Sequence, residues 1–458
     1  MIRFFIVFWA AKFFAWLYKK TGRSRDDRPG LLAYKFCPDF LERIKKPPLV
    51  ICVTGTSGKS TTSALIADKL SAEGLKVSFN DWGANTFAGY CINLMRCVDV
   101  FNRCRFDASV LEADERYLDR SMKMIKPNYI LVTNIGKDSI KRNGNTEFIF
   151  SIIDRTFDEL GDNTVAILNA NDPISSRLAK NNKRVYFGVS DIHTDPMENA
   201  VKEMTICPYC GDEIKYNYRI YRHIGDYYCP SCDFRTPGAK YFVTSADLEN
   251  RSMTVKESGE ETVYPLVSGA AYNVFNVLAF VAVLRELGRS RKDIAEFLKT
   301  QHVTRIRETC VEYNGIKYYT YAAKSQTVSA SSTVFEYMAK EPVNKELVLL
   351  MDDRWSSDHP TEPLTWLYDA DFEFLNSPYI KKIIVAGRMY LNHRVRLLLA
   401  GIPDDKMVCI REQSEIPDHV DREGIEKVYV LFEVDHLSEA RNVRDAIVKK
   451  HKEEDGKA

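Results

Sequence analysis

What this chain lacks first is an excess of charge of either sign. Its 458 residues hold 64 lysines and arginines against 63 aspartates and glutamates, a net charge of +1. A protein that neutralises many phosphates needs a basic surplus, so nucleic-acid binding is disfavoured at whole-chain level. Cysteine is sparse too: eleven residues are too few for a disulfide scaffold of this length. Seven of them, Cys37, Cys52, Cys91, Cys97, Cys104, Cys310 and Cys409, are scattered, and are expected as buried thiols in a reducing compartment. No small-residue cleavage site follows the first apolar run, so no cleavable secretory signal is expected. There is no internal repeat. With 45% hydrophobic and 28% charged residues, the rest is ordinary soluble-protein composition with room for two to four domains.

The unusual segment is the first, MIRFFIVFWAAKFFAWLYKK. It has about the length of a membrane span, but Arg3 and Lys12 interrupt it. On a helix, Ile2, Phe5, Ile6, Trp9, Phe13, Trp16 and Leu17 share one broad face. Its tryptophans and terminal lysines suit a helix lying on a membrane surface. Docking on the chain's own domain or on a partner is the alternative, and a true span is the third.

Past a polar linker, apolar strand candidates alternate with helical stretches: PLVICVT, KVSFN, ASVLEAD, YILVTNI, TVAILNAND and RVYFGV. Such alternation predicts a mostly parallel sheet covered on both faces. A cysteine block interrupts near residue 200, three short strands follow, and GAAYNVFNVLAFVAVLRELG predicts a strong helix capped by Gly288. A second alternation (IKYYTYAA, ELVLLMDD, KIIVAG, MVCI, KVYVLFEV) predicts a Rossmann-like C-terminal domain. The expected division is residues 1–45 as apolar helix and linker, 46–303 as an ATP-binding domain with a ribbon inserted at about 203–238, and 304–458 as the C-terminal domain. The tail HKEEDGKA is expected to be disordered.

TGTSGKSTT, from Thr54 to Thr62, follows a strand and opens a helix. Backbone N–H groups of Gly55, Thr56, Ser57 and Gly58 would converge there on an anion, with Lys59 adding a full charge. Ser60 or Thr61 is placed to put its hydroxyl on a nucleotide's Mg²⁺. The general Walker spacing wants a glycine where Val53 stands, so this is a shortened loop, G-T-x-G-K-[ST].

Cys207, Cys210, Cys229 and Cys232 give C-x₂-C-x₁₈-C-x₂-C. Each pair presents two thiolates from a tight turn, and two turns complete a tetrahedron around structural Zn²⁺ with no open position. His223, between the pairs, is superfluous to that set and is expected at the surface.

The shortened loop resembles the ATP site of the Mur ligase superfamily, which joins amines to carboxylates through an acyl phosphate. LEADE (Leu111 to Glu115) resembles the family strand end whose glutamate holds Mg²⁺, implying Glu112; Asp114 and Glu115 are then expected as solvated loop carboxylates. TNIGKDSIKRNGN matches at Asn134 and Asp138. LNANDP implies nucleotide contacts from Asn171 and Asp172, and GAAYNVFNVLA places Asn273 and Asn276 near the adenine. A lysine and a carboxylate-held Mg²⁺ facing each other make chemical sense, because a carboxylate attacking ATP needs the γ-phosphate screened.

The cysteine ribbon narrows the resemblance to the MurT branch, ligase-like subunits of lipid II isoglutaminyl synthases. WGANTFAG, LTWLYDADFEFL and VAGRMYLNHRVRLLLAGIP support it, so that the likeness covers nearly the whole chain. The branch implies a heterodimer with a GatD-like class I glutaminase, lipid II as substrate at the inner membrane face, and a cytoplasmic protein lying there or peripheral to it. It also implies that an aspartate of this chain completes the glutaminase triad. The equivalent stretch here, SSDHPTEPLTW, departs from the branch pattern; Asp358 aligns with that aspartate through a small insertion, a surface-loop residue being the other reading. KSQTV (Lys324 to Val328) and RIRE (Arg305 to Glu308) also depart from it. A stand-alone Mur-type acid–amino acid ligase, a non-catalytic ATP-binding relative and a zinc-ribbon nucleic-acid protein remain as alternatives.

Overall fold

Strand β1 (Leu49–Thr54) shows how the sequence builds the first sheet. Val50 and Cys52 pack into one apolar cluster and Ile51 and Val53 into another. A strand apolar on both sides belongs inside a parallel sheet with layers on each face. The computed structural model describes residues 2–22, 26–81, 84–138, 145–301, 308–323, 328–351, 364–433 and 436–456. They fall into two compact units, the first comprising Met1–Gly136, Asn145–Pro196 and Glu203–Val303.

The first unit begins with helices α1 (Ile2–Lys20), α2 (Arg28–Phe36) and α3 (Phe40–Arg43). After β1 come α4 (Lys59–Ala72), β2 (Val77–Phe79), α5 (Phe87–Cys97), β3 (Ala108–Glu112), α6 (Leu118–Ile125), β4 (Tyr129–Val132) and α7 (Thr146–Leu160). Then follow β5 (Val165–Asn169), β6 (Arg184–Val189), the hairpin β7 (Lys215–Tyr221) and β8 (Ile224–Tyr228), and β9 (Tyr241–Asp247), β10 (Ser252–Glu257) and β11 (Glu260–Pro265). Helices α8 (Ala271–Glu286) and α9 (Arg291–Lys299) close the unit. The sheet order is β11-β10-β9-β6-β5-β4-β1-β3-β2, parallel from β9 to β2 and antiparallel across β9, β10 and β11. The chain crosses β1 between β3 and β4, so the carboxyl end of β1 lies at a topological switch point, where ligands bind in open α/β sheets.

Gly288 caps α8 as its sequence predicts. Its φ is +79°, its N–H donates to the Arg285 carbonyl, and Arg289 N–H donates to Leu284, the paired bonds of a Schellman motif.

The first helix packs on its own domain through a face other than the broad one read from the sequence. Phe4, Val7, Phe8 and Ala11 are the buried face, with the Phe4 ring 5.3 Å from that of Phe40. Ile2, Ile6, Trp9, Phe13, Trp16 and Leu17 stay exposed and Phe5 is half-buried. A helix apolar all round offers two stripes of i, i+3, i+4, i+7 spacing, and its partners decide which one is buried. Here Trp9 Nε1 donates to the Val100 carbonyl at 2.9 Å and Lys12 Nζ to the Val98 carbonyl, fixing the roll. Among the described residues no helix is long and apolar enough to cross a membrane.

The second unit carries β12 (Glu308–Tyr313), β13 (Ile316–Ala322), α10 (Val328–Lys340), β14 (Lys345–Leu350), α11 (Thr365–Asp369), β15 (Ile380–Ala386), α12 (Tyr390–Leu399), β16 (Met407–Ile410), β17 (Lys427–Phe432) and α13 (Leu437–Glu454). Its order, β12-β13-β17-β14-β15-β16, is parallel except for β12. That edge strand turns back through Asn314 and Gly315, both at positive φ, the pairing a two-residue primed hairpin turn requires. The tail is more ordered than expected: α13 runs to Glu454, His451 is 1% exposed with Nδ1 2.7 Å from the Tyr318 hydroxyl, and Asp455 accepts from Tyr313. Aromatic and basic partners outweigh the charged composition that argued for disorder. The scattered thiols also divide: Cys37, Cys52, Cys91 and Cys97 are buried as expected, Cys104 and Cys409 are half-buried, and Cys310 on the edge strand is exposed.

Candidate active site

The shortened phosphate loop leaves β1 at Gly55 and enters α4 at Gly58. Gly55 has φ +119° and Gly58 φ +87°, which side-chain-bearing residues rarely adopt. Space forbids a side chain as well: a Cβ at Gly55 would lie 2.4 Å from Thr133 Oγ1, and one at Gly58 2.1 Å from Asn276 Oδ1. The stretch after β4 braces the loop. Thr133 Oγ1 donates to the Ser57 carbonyl at 2.6 Å, and Asn134 grips Ser57 through both N–H and carbonyl at 3.2 and 3.1 Å. Thr56 N–H donates to the Asn134 carbonyl at 2.8 Å, and Gly136 N–H donates to Thr56 Oγ1 at 2.9 Å. Asn134 therefore shapes the loop with the groups it was expected to offer a nucleotide.

Lys59, the first residue of α4, donates to the Gly55 carbonyl and forms a 2.8 Å ion pair with Glu115 Oε1. This corrects the expectation that Asp114 and Glu115 are solvated. Glu115 is 3% exposed, and burial pushes its carboxyl group above its usual range against the opposing pull of Lys59. Asp114 is 5% exposed and paired with Arg116 at 3.0 Å. The reason is a 3₁₀ turn at Glu115–Tyr117, which folds the strand end beneath the loop instead of into solvent.

Glu112 ends β3 opposite Val53, just before the loop. Fully buried Asn80 fixes its backbone, donating to the Glu112 carbonyl and accepting from its N–H at 2.9 Å each. Among the described residues the Glu112 carboxylate has no hydrogen-bond or ion-pair partner. Ser60 is exposed and Thr61 half-buried in the first turn of α4. Asn276, through its contact at Gly58, and Asn273, which accepts from Asn276 Nδ2 at 3.0 Å, are brought to the same loop by α8. A glycine cradle, a helix N-terminus, a lysine and an uncompensated carboxylate suit a nucleoside triphosphate with a hard divalent cation.

Asn171 and Asp172 have internal partners. Asn171 Nδ2 donates to the carbonyls of Val189 and Gly225, and its Oδ1 accepts from Val189 N–H. Asp172 is fully buried and accepts from Ile135 N–H at 2.7 Å and Ile174 N–H at 2.8 Å. Asp358 lies outside the described residues, as do residues 305–307 and 324–327 of the two departing segments.

The four ribbon cysteines converge. Their sulfurs all lie within 4.8 Å of one another, with Cys207 to Cys232 at 3.6 Å and Cys210 to Cys229 at 3.3 Å, and none is in a disulfide. Tetrahedral Zn²⁺ with bonds of about 2.3 Å sets sulfurs about 3.8 Å apart, so the set fits that ion. The hairpin between the pairs does not stand off the domain: Ile220 and Ile224 join the core, and Tyr227 Oη bonds Ser176 Oγ at 2.6 Å. His223, at its tip, corrects the surface assignment. It is 9% exposed, with Nδ1 2.8 Å from Glu203 Oε2 and Nε2 3.3 Å from Asp172 Oδ1. No local pattern in the sequence marks either Glu115 or His223, because the partners of each lie tens of residues away.

Residues 53–216 match the Mur ligase middle domain and residues 329–434 the MurT ligase C-terminal domain. The lipid II isoglutaminyl synthase (glutamine-hydrolyzing) subunit MurT of Staphylococcus aureus is 29% identical over 86% of this chain and 88% of its own length. The subunit of the same description from Streptococcus pneumoniae is 27% identical over 91% of each. A solved pseudomurein peptide ligase type C from Methanothermus fervidus shares the fold with a TM-score of 0.63 at 19% identity, covering 92% of this chain and 83% of that one. Carrying a Mur ligase middle domain and a MurT ligase C-terminal domain, and aligned with MurT subunits over most of its length, the chain is a relative of the MurT branch of the Mur ligase family.

Proposed function

We propose that this chain is the ATP-dependent, carboxylate-activating subunit of a lipid II isoglutaminyl synthase. The observation that carries the reading is Lys59, seated in a glycine loop by buried Glu115, in a chain with a MurT-type C-terminal domain. The substrate is the α-carboxylate of D-glutamate in the lipid II stem peptide. A carboxylate oxygen attacks the γ-phosphorus, the bond to the bridging oxygen breaks, and ADP leaves an acyl phosphate. Ammonia then attacks the acyl carbon, inorganic phosphate leaves, and D-isoglutamine results.

The chain's own groups act on charge and position. Backbone N–H groups at the start of α4 hold phosphate oxygens. Lys59, kept in the loop by Glu115, places a positive charge at the transferring group, where preorganised charge lowers the barrier. Glu112 and Ser60 would hold Mg²⁺, which screens the phosphate oxygens when bound. Asn273 and Asn276 would flank the nucleotide base, with Asn171 and Asp172 setting the adjoining wall. Cys207, Cys210, Cys229 and Cys232 would hold a structural Zn²⁺. A GatD-like class I glutaminase supplies the ammonia, and Asp358 is the candidate for completing its triad. A stand-alone ligase or a non-catalytic relative fits the C-terminal match less well.

Co-expression with a neighbouring class I glutaminase tests this directly. The expected result is a one-to-one complex that amidates lipid II in the presence of ATP and glutamine. Amidation with free ammonium and no glutaminase bound at any concentration would indicate the stand-alone ligase instead.

The exposed face of α1 supports a place at the membrane surface, where a lipid-linked substrate lies. Ile2, Ile6, Trp9, Phe13 and Trp16 face outward, and the helix carries Arg3, Lys12, Lys19 and Lys20 without one carboxylate. An apolar, cationic helix of this kind binds anionic bilayers in the interfacial plane. The complex should float with vesicles containing phosphatidylglycerol and much less with phosphatidylcholine alone, and Ile6→Glu/Phe13→Glu should abolish flotation. Equal recovery of the variant with the vesicles would remove the helix from that role.

A further inference from the structure

The ribbon hairpin does more than carry the cysteines, because its tip reaches the carboxylates behind the segment that braces the phosphate loop. Arg222 adopts φ +49° there and pairs with Glu203, whose side chain is 2% exposed. His223 lies between Glu203 and Asp172, at 2.8 and 3.3 Å. These are ion-pair distances; neither ring nitrogen makes an aligned hydrogen bond. Two cations and two carboxylates thus meet out of water. Burial alone would discharge the imidazole, but the flanking carboxylates outweigh it and push it up to about 10. With His223 charged these four groups sum to zero, and its neutral form would make their sum one unit more negative.

Both carboxylates touch the segment that supports the loop. Asp172 accepts the Ile135 N–H at 2.7 Å. Glu203 packs so closely on the next residue that a Cβ at Gly136 would lie 2.7 Å from its Oε2. Gly136 in turn exchanges two hydrogen bonds with the Thr56 hydroxyl, at 2.9 and 3.0 Å, inside the loop itself. A continuous path of contacts therefore runs from the hairpin tip through His223, Asp172 and Glu203 to residues 135 and 136, and on to Thr56.

We propose that His223 is a positioning residue that couples the metal-binding ribbon to the phosphate loop, holding Asp172 and Glu203 where they set the loop's nucleotide-binding shape. It touches neither nucleotide nor substrate. By reciprocity, occupancy of the loop stabilises the ribbon and the assembled ribbon favours nucleotide. The inference rests on the reading of the loop as a nucleotide site.

The test measures binding rather than turnover. In the glutaminase complex, His223→Phe fills the same space without charge and should weaken ATP binding by titration calorimetry about tenfold, within the about 5–150-fold range of coupled sites. His223→Phe/Glu203→Gln removes one charge of each sign and should recover most of that loss. Saturating ADP should slow zinc release from the wild type to a chromogenic chelator several-fold, and have no such effect in His223→Phe. Should His223→Phe fail to fold, as judged by circular dichroism, the double variant and the release experiment on the wild type carry the decision. Unchanged ATP affinity in a folded His223→Phe, or zinc release indifferent to ADP in the wild type, overturns the coupling. A wild-type complex that binds no ATP overturns the nucleotide reading and the coupling with it; ATP binding without lipid II amidation overturns only the assigned substrate.

Discussion

Lys59→Ala should lower ATP-dependent amidation of lipid II at least about a hundredfold, the usual consequence of deleting one preorganised donor at a charge-developing centre. The reason is geometric. Lys59 is fixed at the first turn of α4 by the Gly55 carbonyl and by Glu115 at 2.8 Å, so that its charge is in place before nucleotide arrives. The substitution has a second effect, because it leaves the Glu115 carboxylate buried without its cation. Removing one member of a buried pair costs about 3–5 kcal/mol where the other stays charged. Glu115 has an escape: burial already raises its carboxyl group, and it can take a proton. Comparison of Lys59→Ala with Lys59→Met/Glu115→Gln separates the two effects. Both should be inactive, and the double variant should recover melting temperature. Lys59→Arg should not rescue, since a planar guanidinium cannot replace a compact ammonium in so tight a loop. Glu112→Ala should also be nearly inactive, and raised Mg²⁺ should restore it in part. If Lys59→Ala and Glu112→Ala both keep more than about half of the wild-type rate, the assigned site is wrong, given the size of effect such groups carry.

Cys229→Ser should remove the ribbon's metal and destabilise the first unit severely. Metal analysis of the wild type should give one zinc per chain, and the variant close to none. In zinc-finger peptides such an ion contributes about 10–16 kcal/mol to folding. Here part of the ribbon has other support, from Ile220 and Ile224 in the core and from the bond of Tyr227 to Ser176. A loss of at least about 3 kcal/mol is expected, which for a unit of this size lowers the melting temperature by at least about 5 °C. Cys310→Ser, at an exposed thiol remote from the cluster in sequence, is the matched control and should change neither zinc content nor melting temperature. A wild-type protein that melts at the same temperature before and after complete chelation would show that the cysteines hold no structural ion.

Sequence alone revealed the sheet and the loop because both are written in local patterns. Val50 to Val53 alternate between two apolar layers, and Gly55 and Gly58 mark the loop positions where a Cβ would meet neighbouring atoms. The four cysteines likewise announce their geometry through spacing. What stayed hidden depends on long-range partners. Glu115 reads as one more acidic residue at a strand end until a 3₁₀ turn folds it under Lys59. His223 reads as a spare histidine until Asp172, far earlier in the chain, is found beside it. The roll of α1 was illegible for another reason, since a helix with two apolar stripes does not say which one the protein uses. The Asn314–Gly315 hairpin is the reverse case: its turn signal stands in the sequence, but the strand before it, β12, is too mixed in polarity to stand out.

The ribbon's position in the sheet bears on how the chain is made. β6 and β9 are neighbours, yet the segment from Val189 to Tyr241 lies between them. Until that long crossover closes, β9 cannot find β6, and the antiparallel edge of β10 and β11 has nothing to join. A metal bridging Cys207 and Cys232 would roughly halve the free loop, a gain of only about 0.6 kcal/mol in closure entropy. Its larger effect is on timing. The amino-terminal strands leave the ribosome with an unpaired edge at β6, and such edges recruit other chains. In metal-starved cells the shortfall should therefore appear as chain lost to aggregation during synthesis, before any question of catalysis arises.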